Sequence, residues 1–125
     1  MLNFMVMEKM NYDLEKRTLD YAVRSRLFVK GLDKSLINMD DLKQFVRSSG
    51  SVGANYIEAN EALSKKDFIM RIKISLKETK ECNYWLNIIM ETNKLNQNSE
   101  NECKSLYKEA IELRKILSSI LRKSK

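Results

Sequence analysis

The 125-residue chain contains no proline and only three glycines. These two residues supply most of the turns that strand-rich folds require, so their scarcity argues against a sandwich or barrel. It also leaves long stretches of chain free of helix breakers. The length fits one domain of ordinary size. The sequence therefore predicts an all-α protein built from a few long helices.

Apolar residues recur at spacings of three and four in four segments, which is the pattern of a helix with one buried face. The first predicted helix runs from Tyr12 to Lys30 and stops at Gly31. Glycine accepts the left-handed backbone that ends many helices. The second pattern passes without a break from Leu42 to Ile57.

The second segment contains a run of small residues with low intrinsic helix propensity. They are Ser48, Ser49, Gly50, Ser51, Gly53 and Ala54. Either the chain breaks there, or the small residues let another helix come close while packing sustains the helix. Because the periodicity continues through the run, we favour one continuous helix with a close crossing.

The third predicted helix begins at Ser64, an N-cap with Asp67 three residues later, and ends near Asn93. Its apolar residues occupy two faces. The second face carries Met70, Ile74, Tyr84, Trp85, Ile88 and Ile89. In so short a chain, another subunit is expected to cover that second face.

The fourth helix is predicted to begin at Ser99, which forms a capping box with Glu102 after a polar loop. Four antiparallel helices with short connections make an up-and-down four-helix bundle. We therefore expect an all-α, self-associating bundle, with residues 1–11 as a flexible lead-in and residues 12–125 as its single domain.

The composition also limits function. Histidine is absent, which removes the usual metal ligand and general base, and no cofactor is expected. Cys82 and Cys103 both occupy apolar-face positions, as in a reduced cytoplasmic protein. No apolar run approaches the roughly 20 residues of a membrane span, so we expect no membrane partner.

Positive charge is concentrated in the second half of the chain. From Ser64 onward there are 14 Lys and Arg against 8 Asp and Glu, whereas the two signs balance before it. The strongest basic group lies on the third helix: Lys65, Lys66, Arg71, Lys73, Lys77 and Lys80. Such a row is suited to a phosphate backbone, but it is equally typical of a solvated face that pairs with Glu78 and Glu81.

Two segments together resemble the signature of a small bacterial four-helix-bundle family named after 23S rRNA intervening sequences: VRSSGSVGANYIEA at positions 46–59 and SKKDF at positions 64–68. Ser75, Leu76, Glu78, Glu81 and Leu86 match the family's later Ser-Leu-x-Glu pattern. Ala59 departs from it, since the family usually has Gly there.

This resemblance implies a ring-like homopentamer and makes RNA binding the leading hypothesis. Related proteins include the accessory protein of diversity-generating retroelements, so an adaptor for a nucleic-acid enzyme such as a reverse transcriptase is the alternative. The motif residues that the resemblance marks are Arg47, Gly53, Asn55, Glu58, Ser75 and Glu78. For Asn55 and Glu58 we favour a structural role, because satisfied polar groups often fix helix contacts in bundles.

A catalytic alternative comes from a different class. Glu58 with Glu61, and Glu78 with Glu81, form acidic pairs at helical spacing, as in Mg²⁺-dependent all-α nucleoside triphosphate pyrophosphatases. Short acidic motifs are common on helices, and Glu61 lies at the predicted end of the second helix. A non-enzymatic function is therefore favoured.

Overall fold

The computed structural model describes residues 4–125, with side chains at position 9 and from Tyr12 onward. It contains four helices: α1 (Phe4–Lys30), α2 (Leu36–Asn60), α3 (Lys65–Thr92) and α4 (Gln97–Ser124). Each helix packs on the next, and α1 also contacts α4. The described residues include no strand. The prediction of an all-α four-helix bundle is confirmed, whereas its assembly state stays a prediction.

In the middle of the chain, the boundaries of α3 agree with the prediction, whereas α2 begins at Leu36, six residues before the predicted pattern starts at Leu42. Helix α2 is continuous through its small residues, as favoured. Ser64 caps α3, and its Oγ accepts a hydrogen bond from the Asp67 N–H at 3.1 Å. Helix α3 ends at Thr92 with Asn93 as its C-cap.

Three further boundary details differ from the predictions. Helix α1 begins at Phe4, so most of the expected lead-in is helical backbone, while residues 1–3 lie outside the described part. Gly31 does not have a left-handed backbone; its N–H donates to the Phe28 carbonyl at 3.2 Å instead. Helix α4 begins two residues early because Asn96, as good an N-cap as serine, accepts the Ser99 N–H at 2.8 Å.

The core lies along the bundle axis and takes large side chains from every helix, including Tyr21, Phe45, Ile72 and Leu106. Ala59, at the position where the related family usually has Gly, is also buried there. None of the described helices is long and apolar enough to cross a membrane.

Both cysteines are buried free thiols within this core. Burial raises the pKa of Cys82 to about 12 and that of Cys103 to about 11, because a thiolate is poorly solvated there.

Candidate nucleic-acid interface

The outward-facing ridge of α3 carries most of its predicted basic residues. Lys66, Lys73, Lys77 and Lys80 fall on one line at 3.6 residues per turn, and all are exposed. We call this line the lysine ridge. Lys80 follows Lys66 by 14 positions, so the ridge is about 21 Å long at a rise of 1.5 Å per residue. Lys65 is exposed beside its first residue.

The acids expected to neutralise the ridge are paired elsewhere. Arg47, from α2, lies 3.4 Å from the Glu78 carboxylate and 3.2 Å from the Glu81 carboxylate. Within the described residues, no carboxylate oxygen lies within 4.0 Å of an ammonium group of Lys65 or the lysine ridge. The ridge therefore presents positive charge that no ion pair in this part of the chain compensates.

Glu78 is the most buried carboxylate of this region, with only 7% of its side chain exposed. Its burial raises its pKa, and the neighbouring Glu81 adds to that effect. Arg47 and Lys77 act in the opposite direction but do not cancel it.

Arg71 differs from the other predicted contact residues because it is half-buried and turned toward α2. Its guanidinium donates to the Asn55 side-chain oxygen at 3.3 Å. One turn further along, the Ser75 hydroxyl donates to the Val52 carbonyl at 2.6 Å. Arg71 thus joins the contact between α2 and α3, and the exposed basic set reduces to the five lysines.

Most of the motif residues lie in helix contacts. Arg47, Asn55, Ser75 and Glu78 connect α2 with α3, as described above. Gly53 faces α1, where an added Cβ atom would lie 2.7 Å from the Thr18 hydroxyl oxygen. Glu58 is exposed.

The residues predicted to form the second apolar face of α3 differ in burial: some belong to the core and others are exposed to solvent. Ile89 is fully buried and belongs to the chain's own core, which contradicts its assignment to a subunit contact. Trp85 is half-buried and packs against the core. Met70 and Tyr84 remain 48% and 60% exposed, and Tyr84 lies on the line of the lysine ridge.

The end of α4 carries more cations at the level of the start of the ridge. The Asn83 amide donates to the Tyr107 carbonyl at 3.0 Å, which fixes the antiparallel register of α3 and α4. That register places the last turn of α4, with exposed Arg122 and Lys123, level with the first turn of α3. Exposed cations of both helices therefore lie at the same end of the bundle.

The acidic residues of the pyrophosphatase alternative do not form one site. Arg47 forms ion pairs with Glu78 and Glu81. Glu58 lies 11 residues beyond Arg47 on α2, a helical rise of about 16 Å. The described residues include no group of three His, Cys, Asp or Glu side chains placed to hold a metal ion.

One surface was missed by the sequence analysis. Leu19, Val23 and Leu27 are 61%, 47% and 60% exposed on the face of α1 that points away from the core. Their spacing of four is a helical signal in its own right, but the stronger core pattern of the same helix obscured it. We call these residues the α1 apolar stripe.

The fold and surface define a class of small antiparallel four-helix bundles with one strongly basic helix ridge. Residues 12–119 match the family model of the 23S rRNA-intervening sequence proteins. The chain belongs to that family.

A solved structure supports the same assignment. The chain is similar to a protein of unknown function from the S23 ribosomal protein family of Bacteroides thetaiotaomicron VPI-5482, with 32% identity and a TM-score of 0.75. The match covers 90% of this chain and 97% of the other. None of the curated proteins compared with the chain matches it.

Proposed function

We propose that this protein is a non-catalytic, self-associating RNA-binding module that acts in the cytoplasm. The observation that carries the proposal is the lysine ridge, whose charges have no ion-pair partner among the described residues. A row of uncompensated cations attracts a phosphate backbone, and release of counterions supplies the affinity.

The central test removes two ridge charges. The double change Lys73→Gln and Lys77→Gln is expected to weaken RNA binding for all sequences alike. It should also reduce the slope of log K against log salt by about 0.7 to 0.9 per lost phosphate contact. Fluorescence anisotropy across a salt series measures both quantities.

A matched control uses Lys104→Gln with Lys108→Gln on the outer face of α4. These two lysines have the same spacing of four, are exposed, and change the net charge equally. If both double variants lose the same affinity and slope, net charge rather than the ridge is responsible, and the proposed site is wrong.

Self-association is proposed on a separate observation, the α1 apolar stripe. Three large apolar side chains exposed in a row on one helix are typical of a contact with another protein surface. Covering them contributes about 25 cal/mol for each Å² of apolar surface removed from water. A ring-like homopentamer is the assembly that we propose.

Light scattering at micromolar concentration tests the assembly. A mass of 14.7 kDa would contradict self-association, and a dimer or tetramer would contradict only the pentamer. Leu19→Lys with Leu27→Lys should reduce the mass toward the monomer while leaving helical content unchanged. If wild-type protein binds no RNA at low salt, the stripe favours a protein-only adaptor instead.

A further inference from the structure

The lysine ridge ends at an aromatic side chain. Tyr84 follows Lys80 by four residues and Lys77 by seven, so it continues their line along α3. It is 60% exposed. Beyond it the same face carries exposed Asn87 and Glu91, so the cationic stretch stops there.

The Tyr84 ring packs against the side chain of the next residue, Trp85. It meets the ring of Trp85 edge to face, with centroids 5.1 Å apart and an interplanar angle of 77°. Trp85 is half-buried and packed against the core. An exposed ring supported in this way loses little conformational freedom when a ligand covers it.

We infer that the ridge binds single-stranded RNA, with Tyr84 as the platform on which one unpaired base stacks; this inference rests on the proposed RNA-binding function. Bases in a duplex are already stacked on one another, whereas those of single strands can be splayed onto aromatic side chains. A cationic track that leads to an exposed ring matches the way proteins bind single strands: cations follow the backbone and aromatic rings hold the bases.

The test compares two RNA probes at one salt concentration: an oligouridylate of about 15 nucleotides, which has no internal pairing, and a duplex of the same length. Tyr84→Ala should weaken oligouridylate binding roughly 5- to 150-fold, the loss expected for one stacked base. The salt slope should stay unchanged because no phosphate contact is removed. Duplex binding should not respond, and Tyr84→Trp should keep most of the single-strand affinity.

Tyr12→Ala provides the control for removing an exposed tyrosine. Tyr12 is 66% exposed on α1, away from the ridge, and its loss should leave binding unchanged. Trp85 is the only tryptophan, so its emission should also change when oligouridylate binds wild-type protein.

The outcomes separate the two proposals. If Tyr84→Ala binds oligouridylate as wild type does, while Lys73→Gln with Lys77→Gln weakens it, the stacking platform is wrong and the RNA-binding ridge stands. An equal loss on duplex and single strand would also contradict stacking. Wild-type protein that binds neither probe would overturn the proposed function as well as this inference.

Discussion

Helix α2 contacts its neighbours in a different way from the contact between α1 and α4. Small residues let α2 approach both partners closely, through Gly53 toward α1 and through the hydrogen bond from Ser75 to the Val52 carbonyl. Helices α1 and α4 make the sparsest of the four helix contacts. Long side chains bridge that contact instead.

Two arginines form these bridges. Arg17 makes a bidentate ion pair with Glu109 at 2.7 and 2.8 Å, and Arg24 binds Glu102 at 2.6 Å. Their side chains are 42% and 37% exposed, respectively, so solvent and salt weaken these pairs. One bundle thus combines a tightly packed side, which depends on shape, with a bridged side, which depends on charge.

The largest expected effect comes from adding volume to the tight side. Gly53→Leu should destabilise the fold by about 1 to 3 kcal/mol, because even a Cβ atom meets Thr18 at 2.7 Å. Urea denaturation measures the change. The matched variant is Ser105→Leu, at an exposed position on the bridged side, where a change within about 0.5 kcal/mol is expected. Equal losses of stability in the two variants would contradict the distinction between the tightly packed side and the bridged side.

Two serine substitutions test the same difference between the two sides, with a smaller expected loss of stability. Ser75→Ala removes a buried hydrogen bond to the Val52 carbonyl and should cost about 1 kcal/mol. Ser105→Ala removes a contact of similar length, 2.7 Å to Arg24, but at an exposed position, and should cost less than about 0.5 kcal/mol. Thermal denaturation of both variants in one buffer gives the difference, and a larger loss at Ser105 would reverse our assignment.

Salt should act mainly on the bridged side. Arg17→Ala and Arg24→Ala should each cost about 0.2 to 1 kcal/mol at low ionic strength, the usual range for partly exposed ion pairs. At 1 M salt, where the Debye length is about 3 Å, most of that cost should disappear. Losses that persist at high salt would mean that the arginine stems contribute by packing rather than by charge.

The smallest effect concerns pH and Glu78. Because its pKa is raised in the folded state, the folded protein holds this proton more tightly than the unfolded chain does. The contribution of Glu78 to stability is therefore fully present at acid pH and is lost as the pH rises above the ordinary value of 4.5. Glu78→Gln cannot ionise, so it should be slightly more stable than wild type at pH 7 and lose that advantage in acid. A variant less stable than wild type at pH 7 would show that the Arg47 pair outweighs burial.

The sequence was sufficient for those parts of the fold that depend on local signals. The cap at Ser64 follows from capping chemistry, and the continuity of α2 follows from periodicity. Local signals failed where two residues were equally suitable as the N-cap. Asn96 and Ser99 are both good caps for α4, and which one is used depends on packing. The start of α1 was missed because residues 4–10 are mostly apolar, so spacings of three and four do not single out one buried face.

The candidate site was predictable in part. The lysine ridge follows directly from residue spacing. That Glu78 and Glu81 pair with Arg47 rather than with the ridge depends on a contact between residues more than 30 positions apart. The same holds for Arg71, whose partner Asn55 lies on another helix. Spacing along one helix cannot decide between partners on the same helix and partners on its neighbour.

The two buried thiols have a practical consequence for labelling. Maleimide dyes and spin labels react with the thiolate, and at neutral pH Cys82 and Cys103 are almost entirely protonated and enclosed in the core. A single cysteine introduced on an exposed turn would therefore be modified alone, with both native cysteines left in place. Energy-transfer or spin-label distances between protein copies could then be measured on an otherwise unaltered chain.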